Sequence, residues 1–344
     1  MKYITFTIPS YNSQEYMRHV IDNLVAVGDE IEVIIVNDGS KDDTGKIADE
    51  YQSKYPTIVK AIQKENGGHG SGVMAGLHLA SGLYYKVVDS DDWVETKDVI
   101  DMLDLIKEHI SEGIDIDLYI TNYVYEHAAD NSKFVMHYRK CLPAEQVFTW
   151  DQMRHVKLET VFLMHSLMYR LDKLKASGME LPNHTFYVDD IYAYIPLPHM
   201  DKIFYHDLDF YHYFIGRSDQ SINYDTMCKR YEQQMRVFKI MFRSHSYDDL
   251  KKMPKPLYKY MFHFLMIIGG VTIMTIVGTK EDKKTRWKVF KAYWKEIKSY
   301  DKKLYNKFRY RSLGFFALSL PGYGLKGFAS KVVYKHNQKK LKLG

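Results

Sequence analysis

LYYKVVDSDDWVE, residues 83–95, contains the strongest structural signal in the chain. Its first half, residues 83–88, is a short apolar run rich in aromatic and β-branched side chains, which predicts a strand buried on both faces. Three carboxylates, Asp89, Asp91 and Asp92, follow this strand directly. Crowded carboxylates repel one another, and a divalent cation with oxygen ligands, Mg²⁺ or Mn²⁺, would relieve the repulsion. An acidic loop that caps the next helix is the alternative interpretation.

Short β-type runs alternate with amphipathic segments before this stretch. They predict strand 3–8, helix 13–27, strand 31–36, helix 44–55, strand 59–62 and, after a glycine-rich turn at 66–72, a helix to about residue 80. Such alternation is typical of an α/β fold with a parallel, doubly wound sheet. Ligands of these sheets bind outside the carboxyl ends of the strands, so we expect the loops after the strands to meet along one edge.

The glycine-rich turn, NGGHGSG, is a weaker signal for phosphate binding. It contains neither G-x-G-x-x-G nor the P-loop pattern with its lysine. Its glycines would let the backbone come close to a diphosphate and would offer N–H groups at a helix start. An ordinary helix cap explains the same residues, and the sequence leaves both interpretations open.

Four motifs, TIPSYN, VIIVNDGSKDDT, ENGGHGSGVMAG and KVVDSDDW, occur in this order within the first 95 residues. Together they resemble the family 2 glycosyltransferases with the GT-A fold, of the bacterial surface-polysaccharide or teichoic-acid type. The resemblance implies a hexosyltransferase that uses a nucleotide-sugar donor, usually a UDP-sugar, with inversion. It implies Mn²⁺ or Mg²⁺ as cofactor, with Asp91 as direct ligand and Asp89 near the ribose and the metal. By position it assigns the donor site to Pro9, Tyr11, Asp38, Asn66, Gly68, Asp89, Ser90, Asp91, Arg217 and Ser221.

The pair Asp189 and Asp190 lies between aromatic and apolar residues in the segment 181–195. Inverting transfer needs a general base that takes the proton from the acceptor hydroxyl, and a carboxylate suits this task. The family usually has Glu-Asp here, so the resemblance makes Asp190 the base and Asp189 its partner. The alternative is that both residues cap the helix that follows.

Composition and charge divide the 344 residues into two parts. Residues 251–344 contain 23 Lys and Arg against 4 Asp and Glu, whereas the rest contains 25 against 39. This asymmetry indicates an acidic catalytic body with a basic attachment surface. We predict a catalytic domain at 1–224, with a nucleotide-sugar half to about residue 95 and an acceptor half after it. A helical, basic domain follows at 225–344.

The C-terminal domain allows several interpretations. Lysines interleaved with Trp, Phe and Tyr at 283–307 suit the surface of an anionic bilayer, but the aromatic stripe could equally be core with the lysines as its solvated face. An anionic acceptor polymer would also fit the charge, whereas no nucleic-acid motif accompanies it. The apolar stretch 262–278 is marginal in length for a membrane span and favours a buried helix.

Cys141 and Cys228 are the only cysteines, which excludes a disulfide framework and a thiolate zinc site and fits a reducing cytoplasm. The N-terminal MKYITFTIPSYN predicts a first strand and not a signal peptide. We therefore expect a cytoplasmic enzyme, with a peripheral position on the inner face of the cell membrane left open, that acts on a glycan, teichoic acid or lipid-linked acceptor. A polyprenyl-phosphate sugar synthase and a non-catalytic sugar-binding protein are the alternatives. The sequence does not fix an oligomeric state.

Overall fold

The computed structural model describes residues 1–127, 130–154, 161–215 and 224–311. These residues form two compact units. The described residues up to 215, except Val161, belong to the first unit, and Val161 and 224–311 belong to the second. Strands and helices build the first unit, whereas the described elements of the second are helices. The domain boundary between residues 224 and 225 stays a prediction.

The described part of the first unit contains a ten-stranded sheet. Its strands are β1 Ile4–Ser10, β2 Ile31–Asp38, β3 Val59–Lys64, β4 Tyr84–Val87, β5 Trp93–Val94, β6 Leu118–His127, β7 Lys133–Met136, β8 Val147–Phe148, β9 Leu167–Arg170 and β10 Ile203–Ile215. Strands β3, β2, β1 and β4 are neighbours in this order and run parallel. Every residue of β1 and β2 is buried, as expected for parallel strands covered on both faces. The four strands predicted in the first 95 residues are therefore confirmed.

The other half of the sheet, for which the sequence predicted no strand direction, is mixed. Strand β9 lies between β4 and β6 and runs antiparallel to both, whereas β10 runs parallel to β6. Strands β5, β7 and β8 add further antiparallel pairs. Antiparallel neighbours need no crossover helix, so a four-residue strand such as β9 can join the equally short β4 to the longer β6.

Helices of the first unit cover and connect the strands. They are α1 Met17–Val25, α2 Thr44–Lys54, α3 His69–Leu79, α4 Thr96–Ser111, α5 Leu171–Ala176 and α6 Asp189–Tyr194. Two of them start where the site is built, since α3 follows the glycine-rich turn and α6 begins at the predicted catalytic pair. Helix α1 begins later than predicted, because the chain at Ser13 forms a turn whose carbonyl accepts hydrogen bonds from the N–H groups of Tyr16 and Met17.

The second unit is a set of helices in the residues that the structure describes. They are α7 Tyr224–Lys229, α8 Tyr231–Ser244, α9 Tyr247–Lys252, α10 Lys255–Gly278, α11 Lys283–Tyr300 and α12 Lys302–Arg311. Within these residues, α10 is the one helix long and apolar enough to cross a membrane, and 67% of its most apolar stretch is buried inside the protein. This degree of burial is what the core helix of a globular unit would show.

The aromatic stripe predicted in residues 283–307 belongs to the core of the second unit. Trp294 of α11 is buried, and its ring centroid lies 5.9 Å from that of Phe238 and 5.8 Å from that of Phe308. The lysines of α11 are exposed on the opposite side of the helix. The structure therefore agrees with the interpretation in which the aromatic stripe is core and the lysines form its solvated face.

Candidate active site

The loops that follow the parallel strands lie side by side, as the sequence predicted. The hydroxyl oxygens of Ser13 and Ser90 are 2.7 Å apart, which joins the loop after β1 to residues 89–92, here called the DSDD loop. The side-chain amide of Asn66 donates to the carbonyl of Asp38 at 2.9 Å, which joins the glycine-rich turn to the end of β2. These contacts form one continuous edge at the carboxyl ends of the strands.

Asp38 is buried at the end of β2, and the protein itself satisfies its carboxylate. One oxygen accepts hydrogen bonds from Nζ of Lys64 at 2.6 Å and from the N–H of Gly67 at 2.9 Å. The other oxygen accepts from the N–H of Gly68 at 2.7 Å. Charge-assisted bonds of this kind hold the turn in one conformation. Asp38 thus shapes the glycine-rich turn, and its contact with a nucleotide stays a prediction.

The glycine-rich turn packs closely against residues 181–188, which precede the predicted catalytic pair. The N–H of His184 donates to the carbonyl of Gly67 at 2.6 Å. Gly68 has a φ of +83°, and a Cβ there would lie 3.3 Å from the Cα of His184. A Cβ at Gly70 would also meet this segment, at 3.0 Å. Side chains at these positions would push the segments apart, so the glycines allow a close approach that the sequence alone did not suggest.

Helix α3 and strand β10 hold the DSDD loop. Nε2 of His69 lies 2.7 Å from Oδ1 of Asp89. The Tyr211 hydroxyl accepts a hydrogen bond from the N–H of Asp89 at 3.1 Å and donates to the carboxylate of Asp92 at 2.6 Å. Burial raises the pKa of Asp92 well above its usual range, and the charges of Asp91 and Asp89 add to this rise. Burial lowers the pKa of His69, but the Asp89 carboxylate outweighs it and the net change is upward.

A buried histidine and a buried lysine lie next to the DSDD loop. One ring nitrogen of His165 and carboxylate oxygens of Asp89 and Asp92 all lie within 4.8 Å of one another. Nδ1 of His165 is buried and has no hydrogen-bond partner among the described residues. Burial lowers the pKa of His165 to about 4, so the imidazole is neutral at neutral pH. Lys86 donates to the carbonyl of His165 at 2.6 Å, and burial lowers the pKa of this lysine to about 7.

Asp189 and Asp190 are the first residues of α6, and both are partly exposed. Burial raises the pKa of Asp189, while His69 lowers it and Asp89 raises it, so the pair lies within electrostatic reach of the DSDD loop. Burial also raises the pKa of Asp190 well above its usual range, and Asp189 adds to the rise. Within the described ranges the Asp190 carboxylate accepts no hydrogen bond. A carboxylate without a protein partner is available to accept a proton from a ligand.

The other predicted donor residues differ in exposure. Pro9 is buried in β1, whereas Tyr11 is 50% exposed. Asp91 is partly exposed, on the same loop as Asp89. Arg217 and Ser221 lie outside the described residues. The contacts of all these residues with a donor stay predictions.

The residues present fit a divalent cation. In the part of the chain that the structure describes, the cluster with the spacing of a metal site is Asp89, Asp92 and His165. It includes Asp89 of the predicted ligands but not Asp91. Carboxylate oxygens suit Mg²⁺ and Mn²⁺, and a neutral imidazole nitrogen without a partner favours Mn²⁺.

Sequence reasoning missed three residues of this site, His69, His165 and Lys86. The sequence does contain a signal for Lys86, because this lysine interrupts an apolar run that was predicted to be buried on both faces. His69 lies inside the glycine-rich motif, whose glycines are the stronger pattern. His165 comes from a segment 73 residues beyond the DSDD loop, and no motif marks it.

The chain is similar to known glycosyltransferases. The family model described as "Glycosyl transferase family 2" matches residues 5–169. EpsH of Bacillus subtilis, provisionally named a glycosyltransferase, is 30% identical over 213 residues, which cover 57% of this chain and 60% of EpsH. The minor teichoic acid biosynthesis protein GgaB of Bacillus subtilis is 37% identical over 112 residues, 32% of this chain and 12% of GgaB. The chain thus spans less than two thirds of the length of these relatives.

Among solved structures, TarS 1-349 of S. aureus is similar over most of its length. The TM-score is 0.61 at 18% identity, and the match covers 98% of this chain and 92% of TarS 1-349. TarS 1-349 in complex with UDP-GlcNAc gives a TM-score of 0.60 at 17% identity, with 96% and 92% covered. At such identity the likeness concerns the fold, and it confirms the predicted α/β GT-A domain followed by a helical region.

Proposed function

We propose that the chain is a family 2 glycosyltransferase, since that family model matches residues 5–169, and that it transfers a sugar from a nucleotide-sugar to an acceptor hydroxyl with inversion. The observation that carries this proposal is the Asp190 carboxylate, which has a raised pKa and no hydrogen-bond partner among the described residues. Asp190 takes the proton as the acceptor oxygen attacks the anomeric carbon. Asp189 lies beside it and is itself within electrostatic reach of Asp89 and His69.

The proposed donor is a UDP-sugar. TarS, which shares the fold, was solved with UDP-GlcNAc. In this chain the half-exposed Tyr11 ring offers a face on which a base can stack. The side chain of Asn66 and the backbone at Gly68, where α3 starts, lie along the same edge and can hold the nucleotide and its phosphates.

A divalent cation, Mn²⁺ or Mg²⁺, is proposed at the DSDD loop, bound by Asp91 and Asp89. Bound there, it would offset the charge that develops on the departing diphosphate. The hydrogen bond from His69 fixes the orientation of Asp89. The Ser90 hydroxyl, hydrogen-bonded with Ser13, keeps this loop against the loop after β1.

The proposed acceptor is a hydroxyl of a cell-surface glycan, a teichoic acid or a lipid-linked oligosaccharide. GgaB is named for teichoic acid biosynthesis, which supports an acceptor rich in phosphate. The basic excess of residues 251–344 and the exposed lysines of α11 would attract such a polymer or an anionic lipid surface. On this basis the protein works in the cytoplasm, at the inner face of the cell membrane.

Donor binding and turnover test the proposal together. UDP-, GDP- and CMP-sugars are screened with and without Mn²⁺, by thermal stabilisation and by transfer or hydrolysis, on wild type, Asp190→Asn and the control Asp201→Asn, which changes an exposed aspartate of the same unit. We expect one UDP-sugar to stabilise all three proteins, and Asp190→Asn alone to lose about 10²-fold or more in turnover. Binding without turnover in wild type would indicate a binding protein. Full transfer by Asp190→Asn to a lipid phosphate, which needs no base, would indicate a polyprenyl-phosphate sugar synthase.

The role of the basic helices is tested by charge reversal, because deleting α11 would remove core residues such as Trp294. Wild type is compared, by co-sedimentation with vesicles rich in anionic lipid, with a triple variant of exposed α11 lysines. We expect weaker binding by this variant and wild-type binding by a control with the same charge change in the first unit. Equal loss in both would assign the effect to net charge. The α11 variant carries Lys284→Glu, Lys288→Glu and Lys295→Glu. The control carries Lys41→Glu, Lys54→Glu and Lys97→Glu.

A further inference from the structure

We propose that His165 supplies a nitrogen ligand to a divalent cation that Asp89 and Asp92 also bind, and that this ligand makes the site prefer Mn²⁺ to Mg²⁺. The inference deepens the proposed function and rests on it for the presence of a cation. It adds His165 and Asp92 to a site for which the sequence motif indicates Asp89 and Asp91.

The three side chains lie close enough together to converge on one ion. Their candidate ligand atoms lie within 4.8 Å of one another. Around a six-coordinate ion with ligands at about 2.1 Å, neighbouring ligand atoms are about 3 Å apart and opposite ones about 4.2 Å. Because only one pair among three ligands can be opposite, the other pairs must come to about 3 Å, so ligand atoms would have to approach by up to about 1.8 Å when the ion binds.

Burial of His165 leaves a ring nitrogen that needs a hydrogen-bond partner or an ion. The residue is 5% exposed, and within the described residues nothing hydrogen-bonds to its Nδ1 atom. Buried polar atoms are nearly always paired with protein, water or an ion. The carboxylates of Asp89 and Asp92 lie within 4.8 Å of each other and of this ring, so their charges repel. A cation in this cluster would engage the imidazole and relieve that repulsion at the same time.

Neighbouring residues hold the imidazole and Asp92 in place. The His165 ring is stacked on Tyr213 at 4.5 Å between centroids and meets the edge of Tyr211 at 4.8 Å. Lys86 fixes the backbone of His165 from β4. The Tyr211 hydroxyl and the N–H of Phe214 each bond one oxygen of Asp92, which leaves lone pairs on both oxygens for a cation. Such supporting contacts are what keep metal ligands in position.

Imidazole in the ligand set carries the metal preference. Mg²⁺ is bound almost entirely by oxygen and keeps several waters, whereas nitrogen ligands suit the transition metals. A site made only of aspartates would discriminate less between the two ions. The ratio of Mn²⁺ affinity to Mg²⁺ affinity therefore reports whether His165 is a ligand.

The experiment measures Mn²⁺ binding to the full chain by electron paramagnetic resonance, with and without UDP and with no sugar donor present. His165→Phe keeps an aromatic ring against Tyr213 and removes the nitrogen. The control His212→Phe changes another largely buried histidine, which is stacked on Trp93 at 5.1 Å and lies outside the cluster. We expect a 10-fold or greater loss of Mn²⁺ affinity in His165→Phe, with a smaller loss of Mg²⁺ affinity measured by competition, and wild-type affinities in the control. Mn²⁺ affinity within twofold of wild type in His165→Phe would overturn the inference.

A spectrum of the wild type decides the question if His165→Phe fails to fold. Bound Mn²⁺ should show electron spin echo modulation from a directly coordinated imidazole nitrogen, and this signal should persist in His69→Gln, which removes the other histidine near Asp89. Lack of nitrogen modulation, or of Mn²⁺ binding, in the wild type would overturn the inference and favour a shared proton in the cluster. These measurements involve no sugar transfer, so they stand apart from success or failure of the turnover assay.

Discussion

Asp38 and Asp190 are partly or fully buried carboxylates of the same unit, and the protein treats them in opposite ways. Asp38 accepts hydrogen bonds from a lysine and two backbone N–H groups, whereas Asp190 accepts none among the described residues. Two lysines repeat the contrast, since Lys64 pairs with Asp38 at 2.6 Å and Lys86 donates only to backbone carbonyls of the described chain. Charges that the protein satisfies build the architecture. Ionisable groups that lack a partner of opposite charge reduce stability, and one that also accepts no hydrogen bond from the described chain, such as Asp190, remains available for ligands.

The largest expected effect on stability comes from removing Asp38, the carboxylate that the protein satisfies. Asp38→Ala would leave Lys64 and the N–H groups of Gly67 and Gly68 without their acceptor, and we expect the free energy of unfolding to fall by about 3–5 kcal/mol. Urea unfolding measures this. Asp43→Ala removes an exposed carboxylate that pairs with Lys46 on the surface, and should change stability by less than about 1 kcal/mol. Equal effects of the two variants would mean that burial of Asp38 has no energetic consequence.

Lys86, which has no partner of opposite charge among the described residues, should make the free energy of unfolding depend on pH. Its folded-state pKa of about 7 lies below the ordinary lysine value of 10.5, so between these values the unfolded chain holds a proton that the folded protein releases. Stability from this group therefore rises with pH, by about 2 kcal/mol between pH 7 and pH 9. Lys86→Met should remove that part of the slope in urea unfolding with a chelator present. Lys64→Met should keep the slope, and its loss there as well would contradict the contrast between the lysines.

A third comparison sets a glycine in a close contact against a glycine in open space. Gly68 has φ +83° and ψ 170°, a region that only glycine readily adopts, and a Cβ there would press on His184, whereas Gly113 has φ +70° and a Cβ there would meet nothing within 4 Å. We expect Gly68→Ala to lower the free energy of unfolding by about 1 kcal/mol more than Gly113→Ala. Only Gly68→Ala should also reduce turnover, since it shifts the segment that leads to Asp190. Equal loss of turnover in both would show that the packing of the glycine-rich turn is irrelevant to the site.

The sequence predicted what short-range patterns encode. Apolar runs and the polar residues at their ends were enough to find β1 to β4 and to bring Asp38, Asn66 and Asp89 to one edge. They could not give the direction of β9, because four residues carry no signal for which neighbour they pair with. Nor could they give the partners of Asp38 or the position of His165, since both depend on packing between segments distant in sequence. Periodicity thus locates the site, and tertiary contacts decide which of its charges are satisfied.

The smallest effect tests the contrast at Asp190 itself. Because burial raises its folded-state pKa, the folded protein keeps a proton that the unfolded chain releases once the pH exceeds the ordinary value of an aspartate. Stability from this group is therefore complete at low pH and declines as the pH rises toward the folded-state pKa. Asp190→Asn, which cannot ionise, should be more stable than wild type by on the order of 1 kcal/mol at pH 7, and the difference should close near pH 4. Urea unfolding at the two pH values, with Asp201→Asn as the exposed control, measures it.

A variant less stable than wild type at pH 7 would mean that the Asp190 carboxylate is satisfied after all. A gain in stability joined to a loss of turnover would show that the feature that weakens the fold also supplies the base.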